Sequence, residues 1–570
     1  MFPAFSSASS AVSSLRNPLA CLTLLLAAQL PALADAPTAS DQRAALIGQP
    51  MALIIQPSKI VLEGPRAMQQ LVVTGQYADG TVRDLTAVAA KTVLSPGLAV
   101  VTDTGWLAPK MDGHTSVRVE AGGKTVQVPL VVHGFTQPRP ISFRHEVIGA
   151  LNVGGCNQGA CHGTPSGKNG FKLSLRGYDP GADYLELTRD VLGRRTDRLD
   201  PDASLILQKA LGRIPHEGGK RFGTDTVAAR ILRGWIAGGL RDDPSTLPTL
   251  QRIAVWPGNR VLHAPARWQQ LSVQADFSDG SVRDVTRLSV FSSSDPGVAS
   301  VSPEGLVEFR GTGEVAVLCR YLDLMLTARL TYLEPKKGFH WNNPRENNYI
   351  DKHVFAKLRM LNILPSDLCT DSEFIRRATM DICGVLPTAA QTRAFLASKD
   401  VHKRARLIDT LLAKPEYAEF WTLKWSDVLR SNRKTIQEKG THVFQRWLRR
   451  AVANNTPFDQ VVRDLLTAGG STYRHPAANY YRIVRDPQGL AETTAQLFCG
   501  IRLQCAKCHN HPFERWTQDD YYSMAAFFAR VRHKRDSLDR GPDPMKPGGA
   551  EVVYDGRAGE MTQPRTGQVM

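Results

Sequence analysis

The sequence predicts a multidomain protein with two all-β sandwiches, a small mainly α domain between them and a larger all-α domain. Three observations predict this. A stretch beginning Gln69-Gln70 recurs 200 residues later, beginning Gln269-Gln270. Between the copies lies a Gly-rich segment whose end carries apolar residues at helical spacing. From 345 to 535 the apolar residues recur with a helical period.

At 570 residues the chain is too long for one core. Its 42% hydrophobic and 22% charged content is that of a globular protein. The net charge of +16 favours polyanions: acidic polysaccharide, anionic membrane surface or nucleic acid. The charge is dispersed, however, in short clusters such as Arg194-Arg195 and Arg446 to Arg450, which read as solvated basic surface. No nucleic-acid-binding module is recognisable.

The N-terminus reads as a signal peptide over 1–34. Arg16 precedes an apolar run from Leu19 to Leu30, and Ala32-Leu33-Ala34 supplies the small residues of a cleavage site. The run is too short to span a bilayer, and no later stretch qualifies. The expectation is export to the periplasm, the cell surface or the medium.

The first sandwich is placed at 50–135 and the second at 250–335. Gln69-Gln70-Leu71 through Tyr77-Ala-Asp79-Gly80 to Arg83-Asp84-Leu-Thr86 matches Gln269-Gln270-Leu271 through Phe277-Ser-Asp279-Gly280 to Arg283-Asp284-Val-Thr286. Alternating apolar residues on either side of Asp-Gly predict two strands joined by a tight turn. Each copy then turns at Ser95-Pro96-Gly97 or Asp295-Pro296-Gly297 and continues in short strands. The segment 140–245 ends in a predicted helix from Val227 to Leu240, stopped by Gly238-Gly239. In 345–535, helical faces are predicted for Ile350, Val354, Leu358 and Leu361; for Phe374, Ala378 and Ile382; and for Leu407, Ile408, Leu411 and Leu412. A stripe of Phe420, Trp421, Trp425, Val428 and Leu429 reads as helix core. The stretch 536–570, rich in Gly, Pro and charge, reads as linker and the truncated start of a following domain.

Two motifs carry chemistry. Cys505-Ala-Lys-Cys508-His509 has the C-x-x-C-H spacing of covalent c-type haem attachment, and Cys156-Asn-Gln-Gly-Ala-Cys161-His162 is the same device with four intervening residues. Two thiols bond the haem, and the adjacent His becomes the axial iron ligand. For the first motif the competing readings are a Cys156–Cys161 disulfide and a zinc site of Cys156, Cys161, His162 and His216. For the second they are a disulfide and a metal site of Cys505, Cys508 and His511. With no Met between Met111 and Met325, the second axial ligand of the first site falls to His216, His145 being the other His in the segment. At the second site Met524, His475 and His442 are candidates. Cys369 and Cys383 pair as a disulfide or remain buried thiols. Asp519, Asp520 and Glu514 read as helix caps rather than a carboxylate site.

Several of these stretches resemble known families. The two repeats resemble bacterial immunoglobulin-like (group 2) domains, which implies immunoglobulin-like sandwiches acting as spacers. The region 345–535 resembles the planctomycete cytochrome-c-like domain family, a domain of unknown function. The resemblance rests on Phe498-Cys-Gly-Ile-Arg502-Leu-Gln504-Cys505-Ala-Lys-Cys508-His509-Asn-His511-Pro512-Phe513, on Trp516 and on Asp519-Asp520-Tyr521-Tyr522. Arg376, Asp381 and Leu386-Pro387-Thr388 match its earlier part. The central segment is similar to the cytochrome-c-like domain found beside it, through Lys168 to Asp179 and Pro215-His216.

The expected function is an exported c-type haem-binding protein, with one or two covalent haem c groups, acting in electron transfer with a redox partner protein. The alternative is a periplasmic or cell-surface binding protein for acidic polysaccharide in which the Cys motifs are disulfides. The residues expected to bind haem are Cys156, Cys161, His162, His216, Cys505, Cys508 and His509, with His162, His216 and His509 on the metal.

Overall fold

The two repeats fold into the same set of sheets in the same register. The computed structural model describes residues 39–511, 514–539 and 549–570, so the predicted signal peptide lies outside the described residues. In the first repeat Ala52–Gln56, Val72–Gln76 and Val82–Asp84 form one antiparallel sheet. Ile60–Glu63, Lys124–His133, Gly113–Ala121 and Ala90–Val93 form a second, in that order. A third, small sheet joins Gln69–Gln70, Trp106–Pro109 and Ala99–Val101. The second repeat matches strand for strand: Gln56 pairs with Val72 as Trp256 pairs with Ser272, and Leu130 with Ile60 as Leu330 with Arg260.

The repeated residues build the turn. Asp79 Oδ1 accepts from the Thr81 amide (2.9 Å), and Asp279 Oδ1 does the same for Ser281 (2.9 Å). Gly80 and Gly280 both sit at φ +79°, which a side chain would disfavour. Asp84 Oδ1 then caps the Thr86 amide, whose hydroxyl accepts from Val73 N; Asp284 and Thr286 repeat this with Val273.

The same two aspartates also lock the repeats together. Asp84 Oδ2 accepts from Gln269 Nε2 (2.6 Å) and Gln270 N (2.5 Å). Reciprocally, Asp284 Oδ2 accepts from Gln69 Nε2 (2.9 Å) and Gln70 N (2.8 Å). The contact is therefore two-fold pseudosymmetric within one chain, each repeat offering the patch it receives. It also explains the run of buried residues in Val72–Gln76, where an alternating pattern would be expected: its outer face is covered by the second repeat, with Arg260 Nη1 donating to Thr74 Oγ1 (2.9 Å).

The central segment is mainly helical. Phe143–Val147 forms one π-helical turn running into Ile148–Gly154, followed by Pro180–Thr188, Leu205–Ala210 and Val227–Ala237. Phe143 packs on Tyr184 and Trp235, with centroids 5.3 and 5.1 Å away. This core is continuous with that of the second sandwich. A Cβ at Gly149 would touch Leu288, and Tyr321 Oη donates to His145 O (3.2 Å).

The C-terminal region is helical from Tyr349–Met360 to Gln518–Ala526, with two departures from expectation. It is not all-α: Gly470–Ser471, Glu551–Asp555 and Val531–Arg535 form a sheet, so the predicted linker contributes its central strand. The buried faces are also displaced from the apolar stripes. Ile375, Thr379 and Cys383 are buried, in place of the predicted Phe374, Ala378 and Ile382, and Ala418, Thr422 and Ser426 are buried beside the aromatic stripe. Ile350 and Val354 are exposed. Pro415–Val428 packs on Arg433–Ala453 and on Asp371–Cys383, where Trp421 Nε1 donates to Ile382 O (3.1 Å).

Candidate functional site

The first Cys-His motif closes into a compact loop. Helix Ile148–Gly154 ends at Gly155, at φ +69°, where a Cβ would collide with the Arg221 guanidinium. Cys156 N bonds back to Leu151 O, Cys161 N to Gln158 O (2.9 Å), and His162 N to Cys156 O (3.0 Å). The four-residue insertion thus folds on itself, and Cys161 and His162 return to Cys156.

His216 faces this loop. The His162 and His216 rings are nearly parallel (7°), with centroids 6.3 Å apart. His162 Nδ1 is 3.0 Å from Phe171 O, and His216 Nδ1 is 2.9 Å from Gly219 O. A carbonyl only accepts, so each Nδ1 is the donor and each Nε2 is the nitrogen left for another partner, as in metal-binding histidines. Burial lowers the His162 pKa and favours the neutral ring that a metal requires. Cys156, Cys161, His162 and His216 all line one cavity of about 590 Å³.

Two arginines brace it. Arg221 Nε donates to Gly154 O (2.6 Å) and Nη1 to Gly218 O (3.1 Å), tying the Cys156 turn to the His216 loop. Arg195 lies over the Phe171 ring at 4.5 Å, and that ring packs on His162 at 4.4 Å. Arg195 is buried and paired with Glu186 and Asp190, so it does not belong to the solvated basic surface inferred from Arg194-Arg195. Neither brace shows a spacing signal in sequence, because each acts across the fold. Burial pushes the Cys156 thiol up to about 11.

The second motif is built differently. Cys505 and Cys508 are both exposed on and after the one-turn helix Gln504–Lys507. Lys507 O accepts from Gln518 Nε2 and Tyr522 Oη, anchoring the turn to helix Gln518–Ala526. His509 Nδ1 lies 2.7 Å from Asn510 O, so Nδ1 is the donor in this contact. His509 and His511 line a separate cavity of about 290 Å³, shared with His145 of the central segment. The ligand candidates Met524, His475 and His442 do not line it. Met524 packs in the hydrophobic core, and His442 Nε2 accepts from Arg446 (2.7 Å).

The motif cysteines are thiols in this structure. All eight described cysteines are free here, Cys369 and Cys383 included; Cys383 Sγ donates to Leu411 O (3.4 Å). No three His, Cys, Asp or Glu side chains converge as a cation site among the described residues, so neither zinc set is assembled. Asp520 forms a capping box with Thr517, Asp519 accepts from Gln563, and Glu514 accepts from Trp516 Nε1, which leaves these carboxylates structural.

Residues 349–533, which include Cys505, Cys508 and His509, match the family model described as PSCyt2, a protein of unknown function (DUF1549). No curated protein matches the chain. Among solved structures, domains 5–6 of the S-layer protein SbsC are 12% identical, with a TM-score of 0.21, covering 50% of this chain and 98% of that one. Domains 4–9 of the same surface layer protein are 11% identical, with a TM-score of 0.21, covering 50% and 31%.

Proposed function

We propose that this is an exported c-type haem protein that transfers electrons, its two immunoglobulin-like repeats serving as a rigid paired spacer. One observation carries the reading: His162 and His216 face each other across a cavity that also holds Cys156 and Cys161, each with its Nδ1 proton given to a carbonyl. The residues fit the group. Two thiols and two imidazoles line a single cavity, and one cavity of this size can take the group. Cys156 and Cys161 would hold haem covalently, and His162 and His216 would each supply an imidazole nitrogen to its iron. Cys505, Cys508 and His509 would hold a second haem, on thiols exposed enough for attachment. When bound, the haem iron exchanges one electron, and two His ligands favour a lower potential than a Met ligand would. Arg221 holds the two sides of the first cavity at fixed separation, and Phe171 and Arg195 orient His162. A redox partner would meet the protein in the periplasm or at the cell surface. No helix among the described residues is long and apolar enough to cross a membrane.

The test is expression with a signal peptide in a host that matures c-type cytochromes, followed by a pyridine haemochrome spectrum and intact mass. Covalent haem is expected, reduced by one equivalent in Cys156→Ser/Cys161→Ser and by one in Cys505→Ser/Cys508→Ser. Colourless wild-type protein at the apo mass would refute the reading.

A further inference from the structure

The cavity of about 290 Å³ lies where the central segment, the second sandwich and the Cys505–His511 turn meet. Three arginines, Arg144, Arg176 and Arg320, line it, together with His145, His509 and His511. The one acid lining it, Asp323, is exposed. Arg320 decides its character. It is only 7% exposed, it lies on the strand Gly313–Tyr321, and its Nη1 donates to Leu322 O (3.1 Å). No carboxylate pairs with it among the described residues, whereas Arg195, the other deeply buried arginine of this part of the fold, has two. Burial, and the Arg176 charge beside it, pull Arg320 down to about 10. A buried guanidinium with no carboxylate partner among the described residues is strongly unfavourable unless an anion completes the site.

We infer that this three-way junction is a binding site for a small oxyanion of the carboxylate or phosphate class, held chiefly by Arg320. The guanidinium fork matches the geometry of such groups. The volume suits a phosphate or a short dicarboxylate, and the position makes the anion a bridge between the two halves that carry the Cys-His motifs. The same chemistry has two sources: a free anion, or the propionate arms of a group attached at Cys505 and Cys508.

The test is thermal unfolding and titration calorimetry of the full exported chain in amine-buffered chloride, with inorganic phosphate and with succinate as probes. Saturable stabilisation by at least one probe is expected, with affinity falling at least tenfold in Arg320→Gln. Without added anion, Arg320→Gln should melt at or above the wild-type temperature, because an unpaired buried charge has been removed; this separates a binding role from a structural one. Binding in wild type assigns a free anion. Binding seen only in Cys505→Ser/Cys508→Ser assigns the attached group's carboxylates to the site. No saturable effect in either protein, or unchanged affinity in Arg320→Gln, would overturn the inference.

Discussion

His145 should make the junction between the central segment and the second sandwich acid-labile. The residue is 5% exposed, sits in the π-helical turn Phe143–Val147 and packs on Phe277 with centroids 4.8 Å apart. Its Nδ1 has no hydrogen-bond partner among the described residues. Burial, reinforced by the nearby Arg283 charge, pushes its pKa down from 6.5 to about 4. The unfolded chain therefore takes up a proton near pH 6.5 while the folded chain resists until about pH 4, so stability is fully present above pH 6.5 and is lost as pH falls through that window. A drop of roughly 2.5 units at 1.36 kcal/mol per unit is about 3 kcal/mol, most of it gone by pH 4.5. The perturbation is His145→Gln, which keeps polarity and approximate size but does not titrate. The assay is native-state hydrogen exchange on the amides of Ile148–Gly154 in amine-buffered chloride from pH 7.5 to 4.5, corrected for intrinsic exchange. Wild type should lose about 3 kcal/mol more than the variant over that range. Parallel loss in the two proteins would show that His145 does not carry the protonation, and the reasoning would fail.

Three further outcomes are expected. Asp84→Ala leaves the amides of Gln270 and Thr86 without their acceptor and Gln269 Nε2 with only Gln270 O, which at about 1–3 kcal/mol per buried orphan should cost about 2–5 kcal/mol in urea unfolding; a loss below ~1 kcal/mol would mean the reciprocal lock is dispensable. Gly384→Ala places a Cβ at φ +70° against the Phe420 ring, at the end of helix Asp371–Cys383, and should lower stability by more than ~2 kcal/mol, whereas Gly80→Ala, with open space around it, should lose only about 1 kcal/mol of backbone strain. In haem-loaded protein, His216→Ala should convert one low-spin haem to high spin and raise its potential while covalent attachment through Cys156 and Cys161 persists; an unchanged spectrum would remove His216 from the iron.

Much of the architecture follows from local rules and is therefore legible in the chain. The Asp-Gly turns, the alternation around them and the constant spacing of the repeat predict both sets of sheets, because a turn and its flanking strands are decided by neighbours in sequence. The capping role of Asp520, and His216 as the residue facing His162, are also accessible, the latter only because no methionine competes for the position. Local reading fails where packing partners come from afar. Arg195 looks like surface charge beside Arg194 until Glu186, Asp190 and Phe171 close around it. The helices from 349 to 429 bury small residues as well as apolar ones.

By itself the sequence determined the repeat, its Asp-Gly turns with their flanking strands, and the identities of the cysteines and histidines. These depend on residues near one another along the chain. Only the tertiary structure decided what those residues face. It turned Asp84 and Asp284 from turn residues into a reciprocal lock between repeats, recruited Glu551–Asp555 into a sheet with Val531–Arg535, and set His145 beside the Cys505–His511 turn. Those are contacts between segments tens to hundreds of residues apart. Their energy comes from desolvating and pairing groups that local sequence does not bring together.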